Sequence, residues 1–161
     1  MTTRFWYDAE VLTQAQIYGL DPLLVKSVVM VESGGETNGY RYEPGFWMRY
    51  MAHKPEFDGA NPRRVSSSYG LMQVMYTTAT QHGFKDAPEA LFIPLIGLAY
   101  GCAHLKYLLA QCDGNVEQAL CQYNGGEGGN TKPPYRNAAY ARKALAWYEQ
   151  FKKEQDRAAT R

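Results

Sequence analysis

An acid at the end of an apolar run is the first place in this sequence where chemistry could be done. In VVMVESGG, residues 28–35, four apolar residues lead into Glu32, and a Gly-Gly pair then stops whatever structure is running. On a helix, Val29, Val28 and Val25 lie three, four and seven residues before Glu32, so the acid sits on or beside the apolar face. Apolar surroundings disfavour a carboxylate, and the partial negative charge of a helix C-terminus disfavours it again. A carboxylic acid that keeps its proton near neutral pH is what protonates the leaving oxygen of a glycosidic bond. Structural glutamates, capping or salt-bridged, outnumber catalytic ones, so Glu32 alone decides nothing.

Two further stretches put polar side chains beside apolar ones and next to glycine: SSSYGLMQV at 66–74 and LCQYNGG at 120–126. Gly70 lets a chain or ligand approach the backbone closely. Gln73 offers an amide that both donates and accepts, suited to sugar hydroxyl and acetamido groups. Tyr123 and Asn124 end their helix as Glu32 ends its own. Tyrosine is enriched, 13 of 161 residues, and its flat face with a polar tip suits a sugar groove as well as a core.

No Cys or His spacing makes a metal site, so neither metal nor cofactor is expected. His104 reads as a surface residue of a long helix. Cys102, Cys112 and Cys121 read as small buried hydrophobes, although a Cys112–Cys121 bridge is open to them in an oxidising compartment. A net charge of +1 gives no reason to expect a nucleic-acid partner. No apolar stretch is long enough for an integral membrane segment, and the N-terminus does not read as a signal peptide.

The elements that must position these residues read as mostly helical, in one domain over 1–161 with a core at about 20–150. A first helix over about 5–18 ends at Gly19. Asp21 caps the next, Pro22 opens it and Gly34-Gly35 end it. Residues 36–69 have no clean period and read as a long irregular insertion holding a short hairpin or helical turn. A turn at Gly70 precedes a helix that ends at Gly83. Pro94 opens the longest periodic segment, with Leu95, Leu98, Ala99, Cys102, Leu105, Leu109 and Cys112 on its core face. Asn115 caps a helix that Gly125-Gly126 stop. After Pro133-Pro134, Tyr140, Ala144, Trp147, Tyr148 and Phe151 form the stripe of the last helix, and the charged tail 152–161 is expected to fray.

ESGG, then SSYGLMQV, then a long helix, then ALCQYNGG resembles the soluble lytic transglycosylase family, the lysozyme-like domains that cleave peptidoglycan. The likeness runs from about Asp21 to Tyr148. It implies a mainly α, lysozyme-like fold with Glu32 as the single catalytic acid and base. Ser33 would assist the acid or the substrate's acetamido group. Gly70, Leu71, Met72 and Gln73 would line the glycan groove, Met72 packing on a sugar face. Tyr123 would orient Glu32 or the reacting sugar, and Asn124 would hold the base of the pocket. Tyr140 fits the tyrosine that reaches the active site from near the family's C-terminus. Gln122 departs from the family pattern and is expected to face outward.

The resemblance implies cleavage of the β-1,4 bond between N-acetylmuramic acid (MurNAc) and N-acetylglucosamine (GlcNAc), with 1,6-anhydro-MurNAc products. An inverting hydrolase on a similar fold would need a second carboxylate. Glu43 is the first candidate for it, with Glu36 and Asp58 nearby in sequence. An inactive glycan-binding module is the third alternative. Arg63-Arg64 reads as solvated, with a role in holding peptide-stem carboxylates left open. The implied partner is the peptidoglycan glycan strand, met by a monomer. With no signal peptide read, the setting would be phage release, a virion or a dedicated export route to the periplasm or beyond.

Overall fold

The computed structural model describes residues 5–160, so residues 1–4 and 161 of the single-domain reading lie outside the described residues. Five helices of ten or more residues enclose the core. Helix α1 spans Asp8–Tyr18, starting three residues later than the sequence suggests, and Gly19 closes it in the left-handed region. Helix α2 spans Pro22–Glu32; the Asp21 side chain accepts from the Leu23 N–H at 2.8 Å, and Pro22 occupies the first turn. Val25, Val28 and Val29 of α2 are fully buried, each contributing about 1.5–3 kcal/mol of transfer free energy. Opposite them lie Ala141 and Ala144 of α8, Ala138–Ala159, whose small side chains let it pack closely against α2.

Helix α6, Pro94–Gln111, packs on α1, and α7, Val116–Gly125, lies against α6 and α8. The buried face of α6 carries Leu98, Cys102, Leu105 and Leu108, while Leu95 on its first turn is exposed. Burial follows the neighbouring elements, and periodicity alone cannot say where they end. All three cysteines are buried and free, so Cys112 and Cys121 do not bridge. The charged tail does not fray before Ala159. Its Lys, Glu, Gln, Arg and Ala residues are strong helix formers, and Gln150 reaches Glu154 one turn on, at 3.2 Å.

Residues 36–69 form the irregular insertion expected, with part of a small antiparallel sheet and several short helical turns. Strands β1 (Tyr40–Tyr42), β2 (Ser67–Tyr69) and β3 (Val74–Met75) form an antiparallel sheet in that order. Between β1 and β2 run α3 (Pro44–Phe46), a π-helical turn (Trp47–Met51), a 3-10 turn (Pro55–Phe57) and α4 (Pro62–Val65). Three of these begin at a proline, which favours the first helical position and breaks any longer period. The aromatics pack on one another: Tyr69 meets Tyr40 at 5.5 Å and Phe92 at 5.0 Å between ring centroids. Residues 70–73 form the β2–β3 turn, so α5 (Tyr76–Gln81) starts only after β3.

Candidate active site

Glu32 is the last residue of α2, and Gly34 and Gly35, both at positive φ, turn the chain away from it. It is half-buried beside Tyr140 of α8, whose hydroxyl donates to Glu32 Oε1 at 2.7 Å. Burial pushes the Glu32 carboxyl up to about 7, against the Tyr140 hydrogen bond and the Arg41 charge, which both pull it down. The acid is therefore close to half-protonated at neutral pH. Burial first, and then the Glu32 charge, hold the Tyr140 phenol far above its ordinary pKa, so it remains a donor.

The turn at 70–73 acts through its backbone. Ser33 Oγ donates to the Leu71 carbonyl at 2.7 Å, and Tyr123 Oη donates to the Met72 carbonyl at 2.8 Å. Two adjacent carbonyls of one turn thus fasten the end of α2 and the end of α7. The Leu71 and Met72 side chains are buried in the core, so Met72 does not present itself to a sugar face. It packs against Gly101, where a Cβ would collide with its side chain. Gly70 is also buried; a Cβ there would stand 2.5 Å from the Leu91 carbonyl oxygen, so the close approach it permits is made by protein, not ligand. Of the four turn residues only Gln73 lines the groove, its Nε2 donating to the Gly70 carbonyl at 3.0 Å.

That groove, of ≈ 810 Å³, runs past Glu32, Gln73, Tyr123 and Asn124. One wall is a face of the sheet. Arg41 stands opposite Ser68, and Ser68 opposite Met75, so the three share a face, and all three line the groove. Glu43, two residues beyond Arg41, points the same way and forms an ion pair with Arg41 Nε at 2.8 Å. Phe46 and Tyr50, with ring centroids 4.8 Å apart, add aromatic surface.

Asn124 is placed by a relay the sequence did not suggest. Its Oδ1 accepts from Asn137 Nδ2 at 2.8 Å, and Asn137 Oδ1 accepts from Asn130 Nδ2 at 2.8 Å. Asn130 is fully buried, and its carbonyl accepts from Gln122 Nε2 at 3.0 Å. Gln122 therefore points inward, because the loop after α7 folds back to give its amide a partner. His104 is also more than a surface residue. It lines the groove, lies 5.5 Å from the Tyr123 ring and meets His82 Nε2 through Nδ1 at 3.1 Å. Burial, and secondarily the His82 charge, lower its pKa to about 4, so it is neutral at neutral pH. Glu36 and Asp58 are exposed and line no part of the groove. Arg64 is held by Glu89 at 2.5 and 2.8 Å, and Arg63 lies over the Tyr42 ring.

A family model described as the Transglycosylase SLT domain matches residues 11–146. Among solved structures, an inactive mutant of the lytic transglycosylase Slt of Pseudomonas aeruginosa superposes with a TM-score of 0.67 at 18% identity, covering 92% of this chain and 24% of that one. The 70 kDa soluble lytic transglycosylase Slt70 of Escherichia coli gives 0.65 at 19% identity, covering 90% and 24%. These two likenesses show the fold, and this chain spans about a quarter of the length of either protein.

Proposed function

The chain belongs to the transglycosylase SLT domain family, and on that premise we propose that it is a peptidoglycan lytic transglycosylase with Glu32 as its only acid and base. The observation that carries this reading is the environment of Glu32: an acid on the wall of a long groove, held by Tyr140 and poised at about 7. A group that must first give and then take a proton works best with a pKa near the working pH.

Protonated Glu32 gives its proton to the glycosidic oxygen as the bond to C1 of N-acetylmuramic acid breaks. The carbonyl oxygen of the sugar's own acetamido group steadies the charge at C1, a recognised departure from the two-carboxylate scheme. Glu32, now a carboxylate, takes the proton of the C6 hydroxyl. O6 bonds to C1, which closes a 1,6-anhydro ring, consumes no water and leaves Glu32 protonated. Gln73 and Asn124 contact the glycan, and Tyr140 is a positioning residue for the acid. The place of action is the cell wall.

Glu43 lines the same groove, which makes inverting hydrolysis the second reading. One of its carboxylate oxygens, Oε1, is paired with Arg41 Nε at 2.8 Å. Mass spectrometry of the products released from purified peptidoglycan separates the two. Muropeptides one water lighter, without a new reducing end, support the transglycosylase; reducing muropeptides mean hydrolysis. Glu32→Gln should abolish release and retain glycan binding, whereas no release by the folded wild-type protein would make this a binding module.

A further inference from the structure

Among the described residues Arg41 is the one lysine or arginine lining the groove, which also carries three glutamates, Glu32, Glu43 and Glu127. Its position is built by the fold. The β1–β2 register sets it opposite Ser68 on the groove face, and Glu43 two residues on engages its Nε. The pair meets through Arg41 Nε and Glu43 Oε1, at 2.8 Å, and the fork of a guanidinium matches a carboxylate in bidentate fashion. The side chain is 73% exposed, against 30% for Glu43. It is thus a largely exposed cation on the groove wall, paired with Glu43 at its base. The three other arginines of the 36–69 segment are engaged elsewhere, Arg64 with Glu89, Arg63 over the Tyr42 ring and Arg49 over the Tyr50 ring.

We propose that Arg41 is the receptor for a carboxylate carried by the substrate beside the bond to be cut, with Glu43 as the residue that positions it. The proposal rests on the peptidoglycan reading above. A neutral glycan gives a guanidinium in the groove no charged partner. A muramic acid strand supplies carboxylates from two sources: the stem peptide, when the lactyl group is amidated, and the lactyl group itself, when the stem is removed. Because the Arg41 charge also pulls on Glu32, a carboxylate seated there relieves that pull and favours the protonated acid at the moment of binding.

The test compares three substrates: stem-bearing strands, the same strands with stem carboxylates blocked as amides, and strands stripped of stems by an amidase. Blocking should lower wild-type kcat/KM roughly two- to fivefold, the worth of one exposed ion pair. It should change Arg41→Gln little further, because that variant has already lost the partner. Arg41→Lys, which keeps the charge and loses the fork, should fall between. If the stripped strands are the Arg41-dependent ones, the lactyl group is the source. Equal sensitivity to blocking in wild type and Arg41→Gln, together with equal rates of the two on the stripped strands, would overturn the proposal. If the wild type released nothing from any substrate, the transglycosylase reading itself would fail. Calorimetric binding of the same three substrates to Glu32→Gln, with and without Arg41→Gln, would then decide the receptor role independently.

Discussion

Replacing Tyr140 with Phe removes one hydroxyl and keeps the ring, so it isolates the hydrogen bond to Glu32. Tyr140 is 8% exposed, and the phenyl ring would keep its packing against the core. The lost bond is 2.7 Å long and is one of two influences that lower the Glu32 pKa, the other being Arg41. Burial, the opposing influence, is unchanged. The sign is therefore fixed: the Glu32 pKa of the variant rises above about 7. A hydrogen bond to a charged group contributes about 1.5–3 kcal/mol, and about 1.4 kcal/mol is one pKa unit. Glu32 is half-buried on an open groove, where water can replace part of the bond, so the low end applies, a rise of about one unit.

The assay is the pH dependence of kcat/KM for release of soluble muropeptides. This quantity reports the free enzyme. On the proposed mechanism cleavage requires protonated Glu32, so the wild-type rate should fall as pH rises through about 7. In Tyr140→Phe the descending limb should move up by about one unit. Below the limb, where both enzymes are fully protonated, the variant should be slower by about tenfold or less, because the carboxyl has lost the bond that fixes its rotamer. A limb that stays in place or moves to lower pH would refute the reasoning. It would mean that Tyr140 donates to a group other than the catalytic acid, or that the acid is not Glu32.

Glu32→Gln should stabilise the protein at pH 8. An acid raised from 4.5 to about 7 on folding contributes stability that is present below the unfolded pKa and lost as pH rises to about 7; the full difference is about 3 kcal/mol. The melting temperature of the variant should therefore exceed wild type by several degrees at pH 8, with the gap closing towards pH 4. Tyr123→Phe should leave the pH limb in place and lower kcat, because it frees the Met72 carbonyl rather than the acid; thermal melts should show a loss of about 1–3 kcal/mol. Asn130→Ala removes donors to Cys121, Gly126 and Asn137 and an acceptor for the Asn137 N–H. Denaturant unfolding should show a loss of roughly 2–4 kcal/mol, with glycan affinity falling as Asn124 loses its support.

The helices were legible because their punctuation is local. Asp21-Pro22, Asn115, Gly19 and the glycine pairs stand where the structure starts and stops α1, α2 and α7. The sheet was legible only as a short hairpin somewhere in 36–69, since strands of two or three residues show no alternation to place them. Glu32 stands out in the sequence because three valines put it beside an apolar face, and those valines are fully buried. Met72 and Leu71 misled for the opposite reason: their backbone carbonyls, not their side chains, serve the site, and no residue type announces a carbonyl. Gln122, Asn130 and Asn137 form a buried polar relay whose partners meet only after the chain folds back between α7 and α8. His104 has the helical spacing of a surface position, and nothing in one sequence places His82 beside it.

The net pKa of Glu32 is a balance, and the parts of the balance sit on different elements. Burial raises it, while the α8 hydroxyl and the β1 guanidinium lower it. Burial alone would yield an acid too weak to give its proton up readily, and a fully paired carboxylate would hold none at neutral pH. One group that serves twice needs the middle value, since each gain as an acid is a loss as a base. Of the two lowering influences, Tyr140 is buried and fixed, whereas Arg41 is exposed on the groove wall. Only the second can be altered by a bound substrate. A carboxylate on Arg41 would tilt the balance towards the protonated acid when the strand is seated, and its departure with the product would tilt it back.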